Sequence, residues 1–364
     1  MTRRTLPVFP NAVLAVVEAL HLPSCATDAE SGKLRVGADT AADDGDGDEP
    51  PAETCAAALG LYADLGCETV GEGILAFTPR YTLWSDGVAK ARFVFLPPGT
   101  QIDTSDPDAW IYPVGTRFWK HFETAEGVRL ETRVIEKVAD LRGEAGWTFE
   151  TYAWNEPGDD VERVMLGRRD VLGTDHDIPA EDDCTECHSG GENQRDASLP
   201  QDELLDLALG FGAIALNHNG SDTTLELLSA AGWLSHEVAA VDAVVPGNDT
   251  AREALGYLHV NCGSCHGGGA PSKDMNLVVP VGLTAVEDTP TFQHTIDQPT
   301  DPDSRADGIE EMPTTRITPG EPDQSAIVWR MQQRGDDDAQ MPPLATDVVH
   351  DAGVAAVVTW IESL

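Results

Sequence analysis

The sequence predicts a multidomain α+β protein, with an antiparallel β-rich domain over residues 55–178 and mostly α-helical segments over 179–246 and 247–364. Three observations carry this. From Tyr81 to about Gly173, apolar and polar residues alternate with period two between Gly, Pro and Asp breakers, the pattern of half-buried antiparallel strands. From Ile178 onward that alternation stops and helical spacing replaces it. The pattern C-x-x-C-H occurs twice in this second part, at Cys184-Thr185-Glu186-Cys187-His188 and at Cys262-Gly263-Ser264-Cys265-His266.

Residues 1–25 read as an export segment of lipoprotein type. Arg3 and Arg4 give a basic start, Ala12 to Val17 an apolar run, and Leu22-Pro23-Ser24-Cys25 resembles a lipidation box that would place a lipid anchor on Cys25. Glu18 and His21 interrupt the apolar run, and an ordinary N-terminal tail is the alternative. Residues 26–54 are rich in Asp, Gly, Ala, Pro and Glu, including Asp43 to Glu49, and read as an acidic disordered linker. The ligand spacing of a calcium loop is not met there, nor near Asp301 to Gly308. Cys55 to Gly71 has helical composition. Cys55 and Cys67 are left over from the two motifs and either pair as a disulfide in an oxidising compartment or remain buried thiols.

In the β-rich part, Phe93 and Phe95 alternate with Arg92 and Val94. Val128, Leu130, Thr132 and Val134 share one face of the next run, with Arg129, Glu131 and Arg133 on the other. Trp147, Phe149 and Thr151 alternate with Thr148, Glu150 and Tyr152. Five to seven such strands predict a sandwich or small barrel, with Trp84, Trp110, Trp119 and Trp154 in its core. The helical part is expected to contain helices near Gln201–Leu209 and Thr223–Ala231. A further helix starts at a capping box, Thr250 to Glu253, and carries the second motif at its end. A glycine run, Gly267 to Gly269, stops it. A long loop then reaches about Gly320, followed by helices near Asp323–Gln333 and Asp347–Leu364.

C-x-x-C-H is the attachment pattern of haem c. Two thiols one turn apart can each add across one vinyl group of a single porphyrin, and the next residue then brings an imidazole under the iron. A four-cysteine zinc site is disfavoured, because its pairs usually lie about 15–20 residues apart and need no terminal His. A redox C-x-x-C pair is disfavoured because no βαβ pattern surrounds either motif. The sequence therefore predicts two covalent haems, on Cys184 and Cys187 and on Cys262 and Cys265, with His188 and His266 as iron ligands. No Met lies between Ser189 and Lys273, so the sixth ligand of the first haem is either open or one of His218, His236 and His259.

The order of a helix, C-x-x-C-H, a long wrap, Met341-Pro342 and a C-terminal helix resembles the cytochrome c family. That resemblance implies cytochrome c-like haem domains, packing of the two end helices, and Met341 as the sixth ligand of the second iron, with Met312 as its rival. The wider chain resembles an uncharacterised family of bacterial dihaem c-type cytochromes, often lipoproteins, that join a β-rich N-terminal region to two such motifs. The matching pieces are Tyr81 to Gly87, Pro113 to Thr116, Glu131 to Arg133, Tyr257 to Cys262, Pro319 to Pro322 and Met341 to Pro343.

The chain carries 63 acidic and 23 basic residues, a formal net charge of −40. This argues against nucleic acid and against basic adhesion to a membrane surface. It leaves two readings, a solubilising surface or the steering of a basic redox partner. The expected function is transfer of single electrons between redox partners in the periplasm or at the outer membrane. A dihaem enzyme of peroxidase or oxidase type, with one open iron, is the alternative. A third reading makes the β domain a docking module.

Overall fold

The computed structural model describes residues 54–188, 204–206, 208–267, 275–301, 309, 311–335, 339–344 and 346–364. The expected lipid-anchor residue Cys25, the export segment and almost all of the acidic linker lie outside the described residues, as do Ser189-Gly190-Gly191 and Gly268-Gly269.

The chain begins with a short helix, α1 (Cys55–Leu59), whose N-cap Thr54 accepts from the Ala57 amide. The helical composition up to Gly71 does not extend α1, because Gly60 takes a left-handed conformation and the chain turns back. Cys55 and Cys67 form a disulfide across that turn. Their separation of 12 residues corresponds to about 3 kcal/mol of loop entropy. Burying Leu59 or Leu61 contributes roughly 1.5–3 kcal/mol each, so the hairpin is held by both effects.

Six antiparallel strands follow in simple meander order: β1 (Ile74–Ala76), β2 (Ala89–Phe95), β3 (Arg117–Glu123), β4 (Arg129–Lys137), β5 (Trp147–Trp154) and β6 (Val161–Arg163). A separate ribbon pairs β7 (Leu166–Arg168) with β8 (Ile178–Ala180). The expected sandwich or barrel is corrected to one open sheet. One face, with Trp119, Val134, Tyr152 and Trp154, is covered by the α1 hairpin, and the Trp119 indole donates to Leu59 O at 2.8 Å. The opposite face, with Val94, Phe118, Ile135 and Trp147, is covered by Phe211, Leu216, Leu225 and Leu228 from the helical part instead of a second sheet. Trp110, Trp119 and Trp154 are buried as expected. Trp84 is not a core residue of the sheet, and instead stacks on His350 at 4.0 Å and donates to Val348 O.

The helical part comprises α2 (Cys184–His188), α3 (Ala213–Leu216), α4 (Leu225–Ala230), α5 (Asp249–Asn261), α6 (Pro290–Thr295), α7 (Ala326–Gln332) and α8 (Asp351–Glu362). The expected helix at 201–209 is absent among its described residues, 204–206 and 208–209. There the Asp206 carboxylate binds the sheet instead, through Lys137 and the Trp147 indole. α5 is capped by Asn248, whose side chain accepts from Ala251 N at 2.9 Å, not by Thr250. The loop expected up to Gly320 contains α6. α5 packs against α8 through Leu255, Leu258, Val357, Trp360 and Ile361. Gly353 permits the approach, since a Cβ there would lie 2.3 Å from the Tyr257 ring. The described residues belong to one compact unit, Ala52–Leu364. Among them no helix is long and apolar enough to cross a membrane.

One buried group in the sheet makes stability depend on pH. His121 on β3 is 6% exposed, its Nδ1 lies 2.8 Å from the cross-strand Thr132 hydroxyl, and its ring meets Trp154 edge-on. Thr132 Oγ1 also accepts from the Trp154 indole, so histidine, threonine and tryptophan form one buried polar cluster. Burial, reinforced by Arg129, lowers the His121 pKa to about 4. The unfolded chain takes up this proton near pH 6.5, so the contribution is full above that value and is lost as pH falls through about 4. The expected loss is up to about 3 kcal/mol. Denaturant unfolding at neutral and acid pH, compared between the natural chain and His121→Gln, measures it, and equal pH slopes would refute the assignment.

Candidate functional site

Both C-x-x-C-H motifs are held by local structure that the sequence dictates. Ahead of the first, Asp183 accepts from Ala180 N at 3.0 Å and starts the turn that runs into α2. Three acidic residues, Glu181 to Asp183, precede the helix where its positive dipole end favours them. One helical turn then sets Cys184 beside Cys187 and His188. The second motif directly follows α5, with His266 N bonded to Cys262 O at 2.8 Å. Gly263 is required by packing, because a Cβ there would lie 2.4 Å from His259 O.

Asn261, the residue before this motif, ties it to the β half. Its Oδ1 accepts from Trp84 N at 2.8 Å and its Nδ2 donates to Thr82 O at 2.9 Å. A Cβ at Gly256 would lie 2.2 Å from the Tyr81 ring, so glycine lets the two segments meet. The stretches around Tyr81 and Tyr257, distant in sequence, are thus one joint.

The two motifs touch. The Cys265 thiol lies 3.5 Å from Glu186 O, and Cys187 and Cys265 face each other. Cys184, Cys187 and His188 line a cavity of about 160 Å³ against the sheet. Cys262, Cys265 and His266 line a second of about 490 Å³, together with Met341 and Met312. Cys187, Asn261, Ser264, Pro342 and Leu344 belong to both walls, so the two spaces adjoin. The second has the size of a cofactor pocket, roughly 300–1,000 Å³, while the first is smaller. Burial, with Cys265 nearby, pushes the Cys262 thiol up to about 12. Burial also raises Cys184, and the hydrogen bond with Cys265, followed by burial, raises Cys187. Such protonated thiols are poor redox nucleophiles. Among the described residues, no group of three or more His, Cys, Asp or Glu is arranged to hold a metal ion.

The structure brings His266 and Met341 to one cavity. Met312 reaches it too, but its sulfur accepts from Arg330 Nε at 3.2 Å. The three histidines considered for the first iron do not line the cavity of Cys184, Cys187 and His188. His218 Nδ1 accepts from Gly220 N, exposed His236 lies beside Ser235, and His259 Nδ1 accepts from Val279 N. His259 lines a third cavity of about 340 Å³, and burial lowers its pKa to about 4.

Sequence reasoning missed the wall opposite the first motif, which includes Arg92, Lys120 and Arg133 of β2, β3 and β4. A signal existed. Arg92 shares a strand face with Val94, and Lys120 shares one with Phe118 and Phe122, all three apolar neighbours being buried. Charged residues on such a face mark a site or an error of register. Compared with family models, curated proteins and solved structures, the chain gives no match.

Proposed function

We propose that this chain is a dihaem c-type cytochrome of the cell envelope that passes single electrons between redox partners. The observation that carries the reading is the contact of two C-x-x-C-H turns, each opening on its own cavity, with Met341 in the wall that His266 also lines. Cys184 and Cys187 would hold one porphyrin and Cys262 and Cys265 the other, each thiol adding across a vinyl group, with His188 and His266 as iron ligands. Haem supplies an iron centre that gains and loses one electron. The protein residues would hold the two groups close together and supply His188 to one iron and His266 with Met341 to the other. The disulfide Cys55–Cys67 supports an oxidising compartment. The net charge of −40 favours a basic partner, whose association would slow as salt rises.

The test is a pyridine-haem count and an intact mass on protein matured with its haem-attachment machinery. Two porphyrins per chain are expected, and one in the double variant Cys262→Ala, Cys265→Ala. A colourless natural chain with the mass of bare polypeptide refutes the reading.

One observation favours a second reading, a dihaem enzyme of peroxidase or oxidase type. None of His218, His236 and His259 lines the first cavity, which suits an iron with an exchangeable sixth position. Carbon monoxide added to the reduced protein discriminates. A spectral shift in one haem of two supports the enzyme, and none supports the electron carrier.

A further inference from the structure

The β sheet has so far no part in the chemistry, yet it presents an unusual row of charge to the first motif. Strand register sets Arg92 directly opposite Lys120, and Lys120 directly opposite Arg133. Like charges facing each other across strands are destabilising. The chain has only 23 basic residues against 63 acidic ones, so composition does not force three of them into one half-buried row.

Arg133 is answered, because Glu131 receives its Nε at 2.5 Å and its Nη2 at 3.0 Å. The other two cations are not. Arg92 is 6% exposed, and its Nε and Nη2 have no partner among the described residues. Lys120 is half-buried over the Phe122 ring, 5.0 Å from its centre, and no carboxylate among the described residues pairs with it. Burial first, then Arg92, Arg133 and Lys90, hold the Lys120 ammonium well below its ordinary range, and burial lowers Arg92 to about 10. Buried charge without a counter-ion is costly, and an anionic group beside each of these side chains would restore its charged form. The carboxylates in the same wall are already engaged. Glu150 pairs with Arg163 and accepts from the Tyr152 hydroxyl, and Asp183 accepts from Ala180 N in the turn before α2. Arg92 and Lys120 line the cavity that Cys184, Cys187 and His188 also line.

We propose that Arg92 and Lys120 receive the two propionate carboxylates of the haem attached at Cys184 and Cys187, so that the β sheet is the acid-binding wall of that haem. This rests on the dihaem reading. The match is one of number and chemistry, since haem carries two carboxylates and the row has two unanswered cations. The planar guanidinium fork of Arg92 suits a carboxylate. The arrangement explains why the sheet is fused to the haem segments through Asn261, as it completes their cofactor site. With its acid groups neutralised, the first haem titrates little near neutral pH.

The test is redox titration of the two-haem protein at several pH values, for the natural chain, Arg92→Met, Arg92→Lys and Lys120→Met. Loss of either cation should shift the first haem's equilibrium toward the ferric form about tenfold, equal to about 59 mV for one electron. The released propionate should also gain a raised pKa. The potential would then fall with rising pH between about pH 5 and pH 8, where that of the natural chain is flat. Arg92→Lys should restore most of both effects. Neither side chain has an ion-pair partner in the protein among the described residues, so folding is expected to survive.

Unchanged potentials and a flat pH profile in both methionine variants, with two haems still attached, overturn the proposal. So does a changed iron spectrum in Lys120→Met, which would make Lys120 an iron ligand. Failure of the dihaem reading itself is seen separately, as absence of haem from the natural chain.

Discussion

On the dihaem reading, replacing Met341 by alanine is expected to abolish the weak long-wavelength sulfur–iron band of the oxidised protein and to lower the potential of the second haem by on the order of 0.1 V, a fraction of the roughly 0.8 V that axial ligands span. A thioether favours the reduced iron, so its loss, or replacement by water or a nitrogen donor, stabilises the oxidised state. The segment is built to hold one sulfur in place. Met341 N donates to Arg330 O at 3.1 Å, tying it to α7. The buried Gln340 amide donates to Pro342 O at 3.1 Å and Thr346 O at 2.9 Å, while its oxygen accepts from Gly335 N. Pro342 offers no amide proton that would need a partner. The control is Met312→Leu, which should leave the band intact, because that sulfur accepts from Arg330. A band that survives in Met341→Ala and disappears in Met312→Leu would reverse the assignment. Absorption spectra and a spectroscopic redox titration of the three proteins suffice.

What was legible in the sequence depended on distance along the chain. The strands around Phe93, Val134 and Trp147 follow from period-two alternation, which needs only near neighbours, and they are where that pattern puts them. The two C-x-x-C-H motifs are equally local. The contact between them joins Glu186 to Cys265, 79 residues apart, and no local pattern encodes it. The same limit hid the nature of the sheet. Glu131 and Arg133 alternate with Leu130 and Thr132 and look like a solvent face, but Glu131 is fully buried, bonded to Arg133 and to His176. A polar face buried against helices reads in sequence like a polar face in water. Trp84 stands in the β-rich stretch, but its partner, His350, lies 266 residues further along the chain.

The same blindness concerns the stretch after the first motif, where the largest stability effect is expected. Asp206→Ala should destabilise the folded chain by about 3–5 kcal/mol, a large part of a typical total of roughly 5–15 kcal/mol. Asp206 and Lys137 are both almost wholly inaccessible and meet at 2.5 Å. Asp206 Oδ1 also accepts from Gly143 N at 3.1 Å and from the Trp147 indole at 3.0 Å. Lys137 donates in addition to Leu141 O. Alanine would strand the Lys137 ammonium at the end of β4 and leave the indole proton without an acceptor. Burial already lowers the Lys137 pKa, an effect that Asp206 opposes, so its removal should lower it further. The folded variant then binds fewer protons than its unfolded chain, and its stability rises with pH toward the ordinary lysine range. That upward slope, measured by denaturant unfolding, separates loss of a counter-ion from simple loss of packing, which would be independent of pH. Combining Asp206→Leu with Lys137→Met removes both charges and should regain much of the loss, since an apolar pair of similar volume often matches a buried ion pair. If the double variant is no better than Asp206→Ala, the cost lies in the Trp147 and Gly143 bonds and the ion-pair account fails. Asp206 also ties the segment that follows Cys184–His188 to the sheet carrying Arg92 and Lys120. On the dihaem reading, the single variant should therefore also broaden the redox titration of the first haem and leave that of the second unchanged.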